Sequence, residues 1–532
     1  MDRSSLSRRA LLAYGAGAPL ALNLAAIGRA AADTPDNSGY RALVCVFLQG
    51  GNDANNLLLA TDAGSFNQYW TARLAGSDPI ALMPPGTAPV AIGQVSPLTK
   101  RTISTTDMPE HWGGVLPITP ATPQLVPAAN KTTTAPQNRT FALHPMLTGV
   151  QALFQAKRAA AIANVGTLLA PLTKAQYQNS GQNGAIIPQR LFSHADQQSA
   201  WQSGQVDGSA TGWGGLMADT FQASGSAVQF EAITTAGNTA FLSGLTTRSF
   251  RVNYTGNKSI AQTINLVGMK GRYNSSDIFL DEMRQNLQEG SLGFTQSSDM
   301  VKDYAAAVGR SIQASVVFDS ALGAAGGPYA LVPVPPPFTN PITGKVMDNP
   351  LADQLEAVVQ TAVAHAALGI GRQVFFVQLG GFDTHDGENP RQGLLMAQLD
   401  HALTYFDTAL TKVGMGDQVT AFTASDFNRT FVTNGDGTDH AWGAHHLVVG
   451  GAVKGGDIYG TYPTLGVDKP ASGGTPAFAN PDAVGNALIP TTSVETYLAT
   501  MATWLGVKPA QMTAVFPRLS AFPVQNLGFM AA

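Results

Sequence analysis

Short apolar runs alternate with amphipathic stretches along this chain. Arg41–Gln49 (RALVCVFLQ) is nearly continuous apolar sequence ending in Gly50-Gly51, the pattern of a strand buried on both faces. Met146, Leu147, Val150, Leu153 and Phe154 recur at helical spacing within 145–157, and a second buried strand is predicted over 159–165. The C-terminal half repeats the theme, with a helix predicted over 353–368, a strand over 373–379, a helix over 392–412 and a strand over 418–423. Such alternation predicts an α/β fold with a mainly parallel central sheet and helices on both faces. From about residue 84 to 138 the chain is rich in Pro, Thr and Ala without a sustained period, which reads as a long loop insertion carrying short strands.

Composition narrows this picture. Charged residues make up 12% of the chain, with 56 Gly and 32 Pro, which predicts a large core joined by turn-rich loops. A net charge of -4 without a dense Lys/Arg run excludes nucleic acid as the expected partner, because neutralising phosphates takes a concentrated basic face. The only cysteine, Cys45, lies in the first apolar run and has no partner for an intrachain disulfide.

The N-terminus predicts export. Arg8 and Arg9 precede a run uncharged from Ala10 to Gly28, and Ala30-Ala31-Ala32 forms an A-x-A cleavage site before Asp33. This is the twin-arginine kind of signal, too weakly apolar for a stable membrane span, with a retained signal anchor as the alternative. The expectation is a signal over 1–32, a mature chain over 33–532, passage through the twin-arginine translocase, and a periplasmic or secreted location. That route often serves proteins that take up a metal or cofactor before crossing, so metal ligands are worth seeking.

In open α/β sheets, ligands bind beyond the carboxyl ends of the strands. Three predicted strand ends each deliver an acid: Asp53 in Gly50-Gly51-Asn52-Asp53, Asp383 in Gly380-Gly381-Phe382-Asp383-Thr384-His385, and Asp426 in Ser425-Asp426-Phe427-Asn428-Arg429. Asp439 and His440 follow, then His445 and His446 at the start of another apolar run. Carboxylates and imidazoles gathered on one sheet edge repel unless a cation neutralises them, and mixed O/N ligation suits zinc, manganese or iron, in a one- or two-metal site. Taken singly, each acid also fits a turn residue or helix cap. His445 and His446 would point to opposite faces of a strand, leaving one of them structural; His144, His365 and His401 read as packing or surface residues. Ser193 sits at a predicted helix start with Asp196 in the capping-box position, and its hydroxyl fits a cap, a metal ligand or a nucleophile. His194 fits a ligand or a proton carrier. Arg429 fits a cation for substrate oxygens or a structural partner of Asp426.

Together the export signal, GGND, RLFSHADQQSAW, GGFDTH, TASDFNRT and the stretch from GTDH to GGAVKGG resemble the bacterial family labelled domain of unknown function 1501. The resemblance spans nearly the whole mature chain, with 490–516 matching the family's usual ending. That family is similar to the alkaline phosphatase and sulfatase superfamily, which implies a single alkaline-phosphatase-like α/β domain whose sheet carries one or two divalent ions, zinc or manganese, and hydrolyses phosphate or sulfate esters. The resemblance implies that Asp53 and Asp426 hold one metal beside Ser193 as nucleophile, while Asp383, His385 and His440 hold the other, with Asp439 as an alternative ligand. Where the family usually has Glu-Phe-Gly-Arg, this chain has Asp426-Phe427-Asn428-Arg429, a carboxylate one methylene shorter. The superfamily's commoner Asp-His pair is absent at that position. The function implied is an exported metal-dependent hydrolase acting on a small-molecule or polymer ester. The alternative is a non-catalytic extracytoplasmic binding or assembly protein on the same scaffold.

Overall fold

The computed structural model describes residues 39–531 except 180–186, 206–208, 223–229, 256–257, 262–310, 312–313 and 469–478; the predicted signal over 1–32 lies outside the described residues. Arg41–Gln49 forms β1, with the bounds its apolar run predicts, and every residue from Ala42 to Leu48 is buried. Its side chains alternate between two cores: Ala42, Val44, Val46 and Leu48 face one, Leu43, Cys45 and Phe47 the other. A strand buried on both faces lies in the middle of a three-layer stack.

The sheet has 10 strands. Besides β1 they are β2 (Ala159–Gly166), β3 (Ala232–Thr234), β4 (Phe250–Thr255), β5 (Lys258–Ala261), β6 (Arg372–Gly380), β7 (Val419–Ser425), β8 (Ala444–Val449), β9 (Ile458–Tyr459) and β10 (Thr492–Ser493). Their order is β9-β2-β8-β7-β1-β6-β3-β4-β5, with β10 also paired to β2. β1 runs parallel to both β6 and β7, so the carboxyl ends of these three strands open on the same edge. The mainly parallel expectation holds, with β8 inserted antiparallel between β7 and β2.

Seven helices position the site: α1 (Ala63–Arg73), α2 (Thr148–Gln155), α3 (His194–Ser203), α4 (Trp213–Gln222), α5 (Pro350–Val363), α6 (Glu388–Lys412) and α7 (Val494–Leu505). α2, α5 and α6 pack on one face of the sheet, and α4 and α7 on the other. Each predicted helix of the C-terminal half begins earlier than its apolar period suggests. α5 starts at Pro350 because Asn349 caps Leu351 N and proline suits the first helical turn. The stretch from 84 to 138 is mostly loop, holding the short helix Pro109–Trp112 and the strand Leu116–Ile118, which pairs with Phe141–Leu143. No helix among the described residues is long and apolar enough to cross a membrane.

Candidate metal centre

The turn after β1 depends on glycine. Gly50 and Gly51 have φ of 114° and 81°, and a Cβ on Gly50 would come within 2.4 Å of Asp383 N. The chains leaving β1 and β6 therefore touch, and Asp426 at the end of β7 accepts from Gly50 N at 3.2 Å. Three strand ends meet here, as their motifs predict.

Asp383 is the centre of the arrangement. Its side chain is 49% exposed, and its Oδ1 lies 3.4 Å from His194 Nε2, 3.2 Å from His385 Nε2 and 3.6 Å from His440 Nε2. Each imidazole has its other nitrogen committed. His194 Nδ1 donates to Asp426 Oδ2 at 2.7 Å, His385 Nδ1 to Asp439 Oδ1 at 3.2 Å, and His440 Nδ1 to the Phe192 carbonyl at 2.7 Å. This fixes the tautomers so that three Nε2 lone pairs turn inward, the arrangement in which outer carboxylates and carbonyls orient metal-bound histidines. His385 Nε2 and His440 Nε2 face each other at 2.8 Å, a contact that needs a proton or a cation between them. Among the described residues, His194 Nε2 is buried without a hydrogen-bond partner. His194, Asp383 and His440 form a group whose ligand atoms all lie within 4.8 Å of one another and could hold a metal ion.

The electrostatics of the metal-free site differ from ring to ring. Hydrogen bonding to Asp426 outweighs burial and raises the His194 pKa above its ordinary value. Burial lowers that of His440. Burial pushes the Asp383 carboxyl up, but the hydrogen bond and charge of Arg429, with His194 and His385, hold it below the usual range.

The remaining predicted residues take different places. Asp53 is fully buried in an ion pair with Arg73 at the end of α1, with Arg73 Nη2 donating to Asp53 Oδ1 at 2.9 Å. Glu388 stands 3.8 Å from the same guanidinium, and burial together with the Asp53 charge pushes its carboxyl well up. Arg429 is also fully buried. Its guanidinium donates to Asp383 Oδ1 at 2.5 Å and to the Gly50, Gly51, Phe382 and Thr438 carbonyls. Asp383, not Asp426, is thus its acidic partner, and its donors are occupied within the protein. Ser193 occupies the N-cap position of α3 and its hydroxyl makes no capping hydrogen bond; Asp196 pairs with Arg190, so the expected capping box does not form. His445 and His446 do point to opposite faces of β8, and both pack: His445 stacks on Tyr462 and His446 on Tyr497, with burial lowering each to about 3.

A family model described as "Protein of unknown function (DUF1501)" matches residues 40–477. The chain belongs to that family. The DUF1501 match covers β1 through β9 and every residue of the cluster around Asp383. No curated protein matches the chain. Among solved structures, the one described as "Crystal structure of Ps i-CgsB in complex with k-i-k-neocarrahexaose" aligns with 69% of this chain and 68% of its own, at 9% identity and a TM-score of 0.29. That likeness is too distant to bear on function.

Sequence reading did not find Arg73, Glu388 or Gln198, whose Nε2 donates to Asp426 Oδ2 at 2.9 Å. One signal was available for Arg73: it is the only charged residue of α1 (AGSFNQYWTAR), and a lone charge in a weakly charged protein calls for a counter-ion.

Proposed function

We propose that this DUF1501 protein is an exported metal-dependent hydrolase of phosphate or sulfate esters, built around one divalent ion held by Asp383, His194, His385 and His440. The observation that carries the metal reading is the convergence of three inward Nε2 atoms on one carboxylate oxygen, with two of them in contact at 2.8 Å. The donor set of imidazoles and carboxylate fits zinc or manganese. When bound, such an ion polarises an ester oxygen and activates an attacking hydroxyl or water. Asp426, Asp439 and the Phe192 carbonyl keep the three rings turned inward. Arg429 holds Asp383 ionised and in place rather than meeting substrate. Ser193, adjacent to His194 and free of a capping role, is the hydroxyl proposed as nucleophile. Ester hydrolysis itself rests on the family's resemblance to phosphatases and sulfatases, and export on the N-terminal pattern.

A second reading, a metal-holding protein without turnover, draws on a specific observation. Asp53, assigned to a second metal, is neutralised by Arg73, and Arg429, assigned to substrate anions, is spent on the backbone and Asp383.

The deciding experiment is metal analysis of the mature protein from an exporting host, with Asp383→Ala alongside, followed by assays with 4-nitrophenyl phosphate and 4-nitrophenyl sulfate. Near-stoichiometric metal and turnover, both lost in D383A, support the hydrolase. Metal without turnover, including in comparison with S193A, favours the second reading. Absence of metal after reconstitution with zinc and manganese overturns both.

A further inference from the structure

The helix that presents His194 at its start borders, at its other end, a cavity of about 390 Å³. Ala200 and Gly204 line it, the latter ten residues and about 15 Å along the axis from His194. The cavity shares no lining residue with the Asp383 cluster. Leu168, just beyond β2, and Val494, at the start of α7, give it apolar walls. Its volume lies at the lower end of the range for small-molecule sites.

Two polar features set this cavity apart from a packing gap. Trp213, on α4, is only 1% exposed, yet among the described residues its indole N–H is buried without an acceptor. Buried indole N–H groups normally find a partner. A Cβ added to Gly204 would lie 2.9 Å from Trp213 Cζ2 and 3.5 Å from Nε1, so the polar edge of the ring faces the glycine that lines the cavity. Arg518 supplies the second donor. Its Nη1 donates to the Gly204 carbonyl at 2.9 Å, and among the described residues no hydrogen bond or ion pair engages its Nε or Nη2. Glu495 also lines the cavity, with Oε2 accepting from Arg518 N at 3.0 Å.

From this geometry we infer that the cavity is a binding site for a small organic carboxylate with a compact apolar body, its carboxylate received by Trp213 Nε1–H and the free edge of Arg518, its body lying against Leu168, Ala200 and Val494. A planar guanidinium edge matches a carboxylate, and apolar walls around a few convergent donors are the usual construction of such sites. Burial raises the Glu495 carboxyl to about 7, so below neutrality it presents an O–H rather than an opposing charge to the guest.

The test is calorimetric titration of the full mature protein at about pH 6, below the Glu495 value, with phenylacetate as probe and phenylacetamide as its uncharged counterpart. Saturable one-site binding of phenylacetate is expected, about tenfold or more weaker in Trp213→Phe and Arg518→Gln, as loss of a hydrogen bond to a charged group implies. Ala200→Leu, which fills the cavity, should abolish binding, while Asp383→Ala should leave it unchanged. If Trp213→Phe does not fold, the half-buried Arg518→Gln carries the test. No saturable binding, equal affinity for the amide, undiminished affinity in Arg518→Gln, or loss in Asp383→Ala would each overturn the assignment.

Discussion

Asp53 and Asp383 leave the sheet from neighbouring strands whose register is continuous to Gln49 and Gly380, and each follows a Gly-Gly pair. Their fates differ completely. Asp53 is sealed against Arg73, with Glu388 close by, and is fully buried. Asp383 stands half exposed among three imidazoles whose lone pairs all turn toward it. The same local motif thus yields a structural ion pair on one strand and a ligand-like carboxylate on the next. The difference lies in what is brought opposite: α1 ends in a guanidinium over Asp53, whereas α3 and the loops after β6 and β7 bring histidines to Asp383.

Separating the two aspartates by substitution tests this contrast most directly. Asp53→Ala leaves Arg73 buried without its main counter-charge and should cost about 3–5 kcal/mol in chemical denaturation, while metal per folded molecule stays unchanged. Loss of metal in that variant would return Asp53 to the ligand set. Asp383→Ala should act on the metal instead. It also leaves the buried Arg429 without its acidic partner, so some stability is lost as well, but metal affinity per folded molecule, measured by competition with a chelator, should fall by about a hundredfold or more. A smaller expected effect tests the orientation of His194. Asp426→Asn keeps the size of the side chain but removes the charge that raises the His194 pKa, and metal affinity should drop about 10- to 100-fold, as for other partners behind metal-bound histidines. The ring's NMR titration should also move to lower pH in the metal-free variant.

The contrast extends to the imidazoles, where the expected effect is smallest. His446 sits sealed between Trp201 and Tyr497, and burial lowers it to about 3 from an ordinary 6.5. A base depressed in the folded state contributes stability above its unfolded value, and that contribution is lost as pH falls from 6.5 toward 3. His446→Phe removes one such proton uptake. Between about pH 6 and 4 the stability of the variant should therefore fall less steeply than that of the parent, by about 1.4 kcal/mol per pH unit. An unchanged slope from denaturation at several pH values would show that His446 is already hydrated and titrates normally.

Much of the frame was legible from pattern. β1 follows its apolar run residue for residue, and β2, β6 and β7 fall within two residues of their predicted bounds. The strand-end motifs GGND, GGFDTH and TASDFNRT all reach one edge, because parallel neighbours must open the same way. The division of labour inside that edge was not legible. His194 emerges as one of the converging imidazoles, and Arg429 as the clamp on Asp383, only once residues far apart in the chain are placed side by side.

Sequence alone determined the central strands, the helices over α2, α5 and α6 and the acids that the strand ends deliver to the carboxyl edge, because backbone periodicity and glycine turns are fixed by near neighbours. Tertiary structure decided which carboxylate is neutralised and which is left open. A charge takes its state from the nearest counter-charge and from access to water, and here those counter-charges come from 20 residues away for Asp53 and 46 for Asp383. No local pattern specifies distances of that kind.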